Sequence, residues 1–178
     1  MIALAGRRID EPGADAPRFP LAHVDRVGDR LRALFEEERP AAVVSSAACG
    51  ADLVALDAAA RLLIRRRVVL PFDAPRFRAT SVTNRPGAWG ALFDRMTTEA
   101  RAARDLIVLE GAPFDETAAY EAANRRILEE ALSLASAAAD VVAVLVWEGS
   151  QRGHDDLTAA FGEAAATRGL RLRQVSTL

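Results

Sequence analysis

Five separated segments of the 178-residue chain carry side chains suited to holding an anion or moving a proton. Gly6, Arg7, Arg8 and Asp10 close a short apolar run that starts at Met1. Ser46, Cys49, Gly50 and Asp52 lie where the apolar Val43-Val44 gives way to small residues and then to a helix-like stretch. Phe72 and Asp73 follow Val68-Val69-Leu70-Pro71, and Tyr120 and Asn124 stand four residues apart. Gly149, Gly153, His154 and Asp155 follow the run Val141 to Trp147. A strand that turns through small residues into a helix leaves N–H groups uncovered at the positive end of the peptide dipoles, where phosphate binds. Small side chains also admit a ligand close to the backbone. The same turn serves as a plain connection in α/β domains, and the local sequence leaves both readings open.

Cleavage or transfer at a glycosidic bond needs a carboxylate to stabilise an oxocarbenium-like sugar or to activate water. Asp52, Asp73 and Asp155 are the candidates, with Asp156 beside them; nothing in the sequence selects one, so the catalytic residue is unknown. Asp73 beyond its strand is placed to accept from a ribose hydroxyl or an exocyclic amine, and equally to cap a helix over residues 75–82, the commoner role. Tyr120 and Asn124 share a helix face, where Tyr120 stacks or donates and Asn124 offers both a donor and an acceptor. A protonated His154 contacts phosphate or acts as acid or base, although a helix-start histidine more often faces water. Cys49 near a helix start reads mainly as a small structural residue. Trp147 reads as core or subunit contact, with stacking on a base left open.

Composition removes several chemistries. All 23 basic residues are arginine. Without lysine there is no P-loop lysine, no Schiff base and no kinase-type phosphate contact, whereas arginine still grips phosphate or carboxylate with paired hydrogen bonds. A net charge of -2 argues against nucleic acid as a partner. One cysteine and two separated histidines exclude an internal disulfide and call for no metal, and no cofactor is expected. The run Val141 to Trp147 is too short to cross a bilayer and no leader segment precedes the first strand, so a cytoplasmic protein without a membrane partner is expected.

The elements that must position these residues follow from periodicity. Strands are predicted at 1–6, 42–46, 68–71, 105–110 (ended by Gly111 and Pro113), 141–147 and 170–175. Helices are predicted at 24–38, around 53–63, at 75–82 and 89–104, from Asp115 or Thr117 to about Ala138, and at 155–168. In the second helix Leu53, Leu56, Ala60 and Leu63 form the expected buried face, with Asp52 and Asp57 off it. Arg65, Arg66 and Arg67 read as a solvated helix end, residues 11–20 as a surface loop, and Val141 to Trp147 as the central strand. The alternation predicts one α/β domain over 1–178, a Rossmann-like three-layer α/β/α sandwich around a mostly parallel sheet of about six strands. Ligands of such sheets collect beyond the carboxyl ends of the strands.

Taken together, Leu4-Ala5-Gly6-Arg7-Arg8-Ile9-Asp10, Ala48-Cys49-Gly50-Ala51-Asp52-Leu53, Leu70-Pro71-Phe72-Asp73, Tyr120-Glu121-Ala122-Ala123-Asn124-Arg125 and Val146-Trp147-Glu148-Gly149 with Gly153-His154 resemble the SLOG superfamily. That superfamily groups Rossmann-like domains related to DNA-processing protein A, the LONELY GUY nucleotide phosphoribohydrolases and the N-terminal regions of melastatin-type TRP channels. The resemblance implies a bacterial signalling or stress-response domain that binds a nucleotide or nucleotide-derived ligand. Phosphate and sugar would lie on the turns at Ser46 to Gly50 and Gly149 to Asp155, with Phe72, Asp73, Tyr120 and Asn124 around base or ribose. It also implies a homo-oligomer. The phosphoribohydrolase signature Pro-Gly-Gly-x-Gly-Thr-x-x-Glu is absent from Ser150-Gln151-Arg152-Gly153-His154-Asp155-Asp156-Leu157. A binding module is therefore expected ahead of an N-glycosidic hydrolase or transferase, and single-stranded DNA binding stands third.

Overall fold

Residues that alternate along each strand bury on opposite faces of one sheet. Ile2, Leu4, Val43, Val68, Leu70, Val142 and Val144 belong to one apolar core, while Ala3, Ala5, Val44, Val69, Ala143 and Leu145 belong to a second. The computed structural model of the protein describes residues 1–110, 115–153 and 155–178. Its strands β1 (Ile2–Gly6), β2 (Ala42–Ser45), β3 (Arg65–Leu70), β4 (Leu106–Val108), β5 (Val142–Trp147) and β6 (Arg171–Ser176) pair in parallel throughout, in the order β4-β3-β2-β1-β5-β6. The chain is an α/β protein with a Rossmann-like fold.

The helices are α1 (Val24–Glu38), α2 (Ala51–Arg61), α3 (Ala74–Phe77), α4 (Trp89–Ala102), α5 (Glu116–Leu134) and α6 (Leu157–Thr167). From β1 to β4 the chain steps in one direction across the sheet. From β4 through β6 it steps in the other. Right-handed crossovers therefore place α1, α2 and α4 on one face and α5 and α6 on the other. The reversal makes β1 and β5 neighbours, and their carboxyl ends form the switch point of the sheet.

Several expectations are corrected by packing. Helix α2 lies between α1, α4 and the sheet, so its buried arc is wide: Asp52 is inside, and Leu63, in a left-handed turn after the helix, is 94% exposed. Arg65, Arg66 and Arg67 are not a helix end but the first half of β3. Period-two alternation sends Arg67 toward Glu130 of α5 and Arg66 toward Glu99 of α4, and Asp105 receives Arg65 and Arg67. Helix α5 stops at Leu134, short of Ala138, where a separate 3-10 turn over Ala138–Asp140 leads into β5. The apolar β5 is interior but not central, because β6 covers its outer side and helices cover both faces. Gly111 and Pro113 lie outside the described residues. Among the described residues no helix is long and apolar enough to cross a membrane.

Two glycines set the close approach of chain segments at the switch point. A Cβ on Gly6 would meet the Val146 carbonyl and the Ala51 Cβ at 2.5 Å each. Gly50 has φ +101 and pairs with Arg8 in an isolated bridge, so a Cβ there would sit 2.7 Å from the Arg7 carbonyl oxygen. Strain in φ and overlap with backbone act together, and Gly50→Ala is expected to lower unfolding free energy by about 2–4 kcal/mol in urea titrations.

Candidate functional site

The segment after β1 runs over the start of α2: the Ala51 N–H donates to the Arg7 carbonyl and the Ile9 N–H to the Cys49 carbonyl. Arg7 and Arg8 leave this segment into different surroundings. Arg7 is buried and its guanidinium donates to Glu148 from Nε (2.6 Å), to Asp156 from Nη1 (2.6 Å) and Nη2 (2.8 Å), and to the Ser150 carbonyl (3.0 Å). It also lies 5.5 Å from the centre of the Trp147 ring. Burial alone raises the Asp156 carboxyl, but the bonds from Arg7 and from the Arg152 and Ala159 N–H groups outweigh it and hold the group at about 2.

These contacts change the expected phosphate cradles. Asp156 caps α6 by accepting from the Thr158 and Ala159 N–H groups, so the helix start beyond Gly149 and Gly153 is already served by a carboxylate of the chain. At α2 the N–H groups of Ala51, Leu53 and Val54 bond to Arg7, Ala48 and Gly50 carbonyls. Groups of the chain thus take the Ala51, Leu53, Thr158 and Ala159 donors of these positive ends.

A cavity of about 190 Å³ opens instead between β1, β2 and α5 on the carboxyl side of the sheet. Its wall includes Ala5, Gly6, Arg8, Ser46, Asp52, Phe77, Ser81, Tyr120, Ala123, Asn124 and Ile127. The space exists because the facing residues are small: Ala5 and Gly6 end the strand, and Ala123 faces them from α5. Tyr120 packs 5.8 Å from the Phe72 ring and 6.5 Å from the Phe77 ring, and its hydroxyl lies 2.7 Å from Ser81 Oγ. Asn124 Nδ2 donates to the Leu157 carbonyl at 3.0 Å, which fixes the amide of a wall residue.

Asp52 accepts from the Ala48 N–H and is otherwise enclosed. Burial pushes its carboxyl up to about 7, against the opposing effects of that bond and of Arg8. Near neutral pH the cavity therefore holds a carboxyl that can donate as well as accept.

A second cavity of about 520 Å³ adjoins the first, sharing Gly6, Arg8, Leu157 and Thr158. Its volume lies within the roughly 300–1,000 Å³ usual for small-molecule sites. Arg7, Arg8, Arg18, Arg85 and Arg152 line it, with Asp10, Glu11, Asp155 and Asp156. Among the described residues four buried side-chain polar atoms lack a hydrogen-bond partner, and three belong to residues of these two cavities: Arg8 Nε, Ser46 Oγ and Arg85 Nε. Leaving a buried donor unpaired costs about 1–3 kcal/mol, so such groups call for an acceptor, which a water or a ligand supplies.

Of the residues singled out in the sequence, Gly6, Ser46, Asp52, Tyr120 and Asn124 come together in the smaller cavity, and Gly6, Arg7 and Asp155 line the larger. Cys49 and Gly50 are buried behind them, their backbones tying the 7–9 segment to α2. Phe72 is core, supporting Tyr120. Asp73 is an exposed cap that accepts from the Arg76 N–H at 2.9 Å and touches neither cavity. Gly149 and Gly153 are exposed and outside both walls, and His154 lies outside the described residues. Sequence reading missed Arg18, Arg85, Arg152 and Ser81. The three arginines stand in irregular segments that carry no period, and Ser81 is a lone serine in the helical stretch that follows α3. Among the described residues no cluster of His, Cys, Asp and Glu is arranged to hold a metal.

No protein-family model matches the chain, and no curated protein matches it. Among solved structures it is similar to DNA processing protein A from Streptococcus pneumoniae, with 17% identity and a TM-score of 0.55 over 97% of this chain and 49% of that one. The chain thus spans about half the length of that structure, and at this identity the likeness is one of fold.

Two titrations follow from the buried carboxyls. Asp156 is ordinarily 3.8 and is depressed to about 2 in the fold. Its contribution is full above pH ~4 and lost as pH falls toward 2, about 2 kcal/mol in all. Urea titrations at pH 6, 4 and 3 are expected to show a steeper acid loss for the parent than for Asp156→Asn. Asp52 is shifted the other way, so it penalises folding progressively from pH ~4 to 7. Asp52→Asn is expected to raise Tm relative to the parent at pH 8 and much less at pH 5.

Proposed function

We propose that the protein binds a nucleotide or nucleotide-derived anion, with the base in the smaller cavity and phosphate at Arg8, where that cavity meets the arginine-lined one. The observation that carries this reading is the junction: an aromatic and amide-lined cavity shares Arg8 with an arginine-lined cavity, and the orphaned Arg8 Nε and Ser46 Oγ lie on residues of the first. A base needs flat apolar contact plus a few fixed polar groups, which Phe77, Tyr120, Ile127 and Asn124 supply. A phosphate needs donors, and Arg8 offers its unpartnered Nε, the neighbouring Nη2 being held by the Asn84 side-chain oxygen. Asp52, its carboxyl pushed up to about 7 by burial, carries a proton in about half of the molecules at neutral pH and there adds a donor to the cavity wall.

In this reading residues 1–178 act as a SLOG-like domain that senses its ligand without consuming it, working as a homo-oligomer in bacterial signalling. The Asp52 carboxyl also has the protonation a general acid requires, which keeps N-glycosidic cleavage as the enzymatic alternative. A second reading, single-stranded DNA binding, takes its support from the arginine-lined cavity and from the similarity of fold to a DNA processing protein. The net charge of -2 weighs against it.

Calorimetry with nucleotides and short oligonucleotides, followed by product analysis, separates these readings. Mononucleotides are expected to bind without release of free base. Asn124→Ala is expected to weaken binding about tenfold, and Ala123→Leu, which fills the cavity, to weaken it more. Asp73→Ala is expected to leave affinity unchanged. Tighter binding of oligonucleotides than of mononucleotides, with a steep salt dependence, would overturn the reading in favour of single strands.

A further inference from the structure

The larger cavity is crossed by residues 11–16, and this strap occupies the arginines beneath it. Glu11 pairs with Arg85 Nη1 at 2.7 Å, and Arg152 Nη1 reaches the Ala16 carbonyl at 3.5 Å while its Nε lies 3.2 Å from Glu148. The strap is anchored at its ends, where Asp10 accepts from the Arg18 and Phe19 N–H groups and the Phe19 ring is fully buried. Between those anchors residues 11–17 are exposed.

Glu11 is an incomplete partner. It meets Arg85 through Nη1, leaves the buried Nε without an acceptor, and is itself 69% exposed. An ion pair with so exposed a partner is weak. A phosphate has oxygens enough to take both Nε and Nη of one guanidinium in parallel, which the carboxylate here does not do. The other acids of the cavity compete little: Asp156 is bound by Arg7, Asp10 by two backbone N–H groups, and Asp155 is exposed.

The two orphaned Nε atoms on Arg8 and Arg85 thus mark two places for anionic oxygen rather than one. We infer that the larger cavity is a second anion subsite, held in the unliganded protein by the Glu11 carboxylate, and that the site selects nucleotides carrying a diphosphate over monophosphates. This inference rests on the nucleotide-binding reading. The first phosphate meets Arg8 at the junction. The second takes the open Nε edge of Arg85 beside the Glu11 carboxylate on Nη1, and its charge repels Glu11 and loosens the strap. A nucleoside 5′-diphosphate and the pyrophosphate link of a nucleotide sugar present the same chemistry to these arginines.

The test is calorimetry on the full chain with 5′-mono- and 5′-diphosphates of adenosine, guanosine, cytidine and uridine, and with ADP-ribose. For the best-bound base, the diphosphate is expected to bind at least about tenfold tighter than the monophosphate. ADP-ribose binding like ADP identifies an internal pyrophosphate as sufficient, and ADP alone showing the gain identifies a terminal phosphate. Arg85→Gln is expected to abolish the difference and leave the monophosphate affinity within about twofold, with Arg152→Gln as a second variant and circular dichroism verifying the fold of each. Glu11→Gln removes the competing charge and is expected to strengthen diphosphate binding by up to about fivefold. Equal affinity for mono- and diphosphates in the parent would overturn the second subsite and leave the nucleotide reading standing. Unchanged diphosphate affinity in Glu11→Gln would overturn the placeholder role. Failure of every nucleotide to bind would overturn the reading beneath both.

Discussion

The buried Arg7 guanidinium joins three parts of the chain that a parallel sheet brings near one another but does not by itself fix. It sits at the end of β1, and its partners are Glu148 at the end of β5 and Asp156 at the start of α6. Taking these charges out of water is costly, and a buried ion pair offsets that cost only when geometry and extra hydrogen bonds are good. Here the extra bonds are present, since Asp156 also accepts from the Arg152, Thr158 and Ala159 N–H groups. The cluster ties the start of α6 to the ends of β1 and β5, next to Leu157 and Thr158, which both cavities share.

Along the carboxyl rim of the sheet the question is then which groups the fold consumes and which it leaves over. The two helix starts that look most like phosphate cradles are consumed, one by Asp156 and the other by carbonyls of the chain. What is left over lies between them: small residues at the end of β1 and on α5, an amide held by a backbone carbonyl, a phenol held by Ser81, and arginine nitrogens without acceptors. Asp52 is caught between the two groups. Its backbone bond to Ala48 is structural, while its enclosure keeps a proton on the carboxyl at pH values where a solvated aspartate has none.

Arginine as the sole basic side chain suits this arrangement. Arg65, Arg66 and Arg67 open β3 with side chains on alternate faces, and each finds a carboxylate on a neighbouring element. Arg7 does the same at the other end of the sheet. A planar guanidinium with five donors satisfies several acceptors at once, which lets charged residues lie at strand ends beside a packed core.

Much of the fold was legible in the sequence because strand and helix periods are local: β1, α1, β2, the start of α4 and β5 fall where apolar spacing puts them. Gly6, Ser46, Asp52, Tyr120 and Asn124, marked in the sequence by their places at turns and on one helix face, line one cavity. Which turns stay open was decided by tertiary structure alone. That depends on whether Asp156 reaches the N–H groups of α6, whether the 7–9 segment covers α2, and whether Arg18, Arg85 and Arg152, far apart in the chain, meet over one cavity. Hydrogen-bond partners at long sequence separation leave no spacing pattern, so the sequence determined the layers and the rim, and packing across the β1–β5 switch point determined the site.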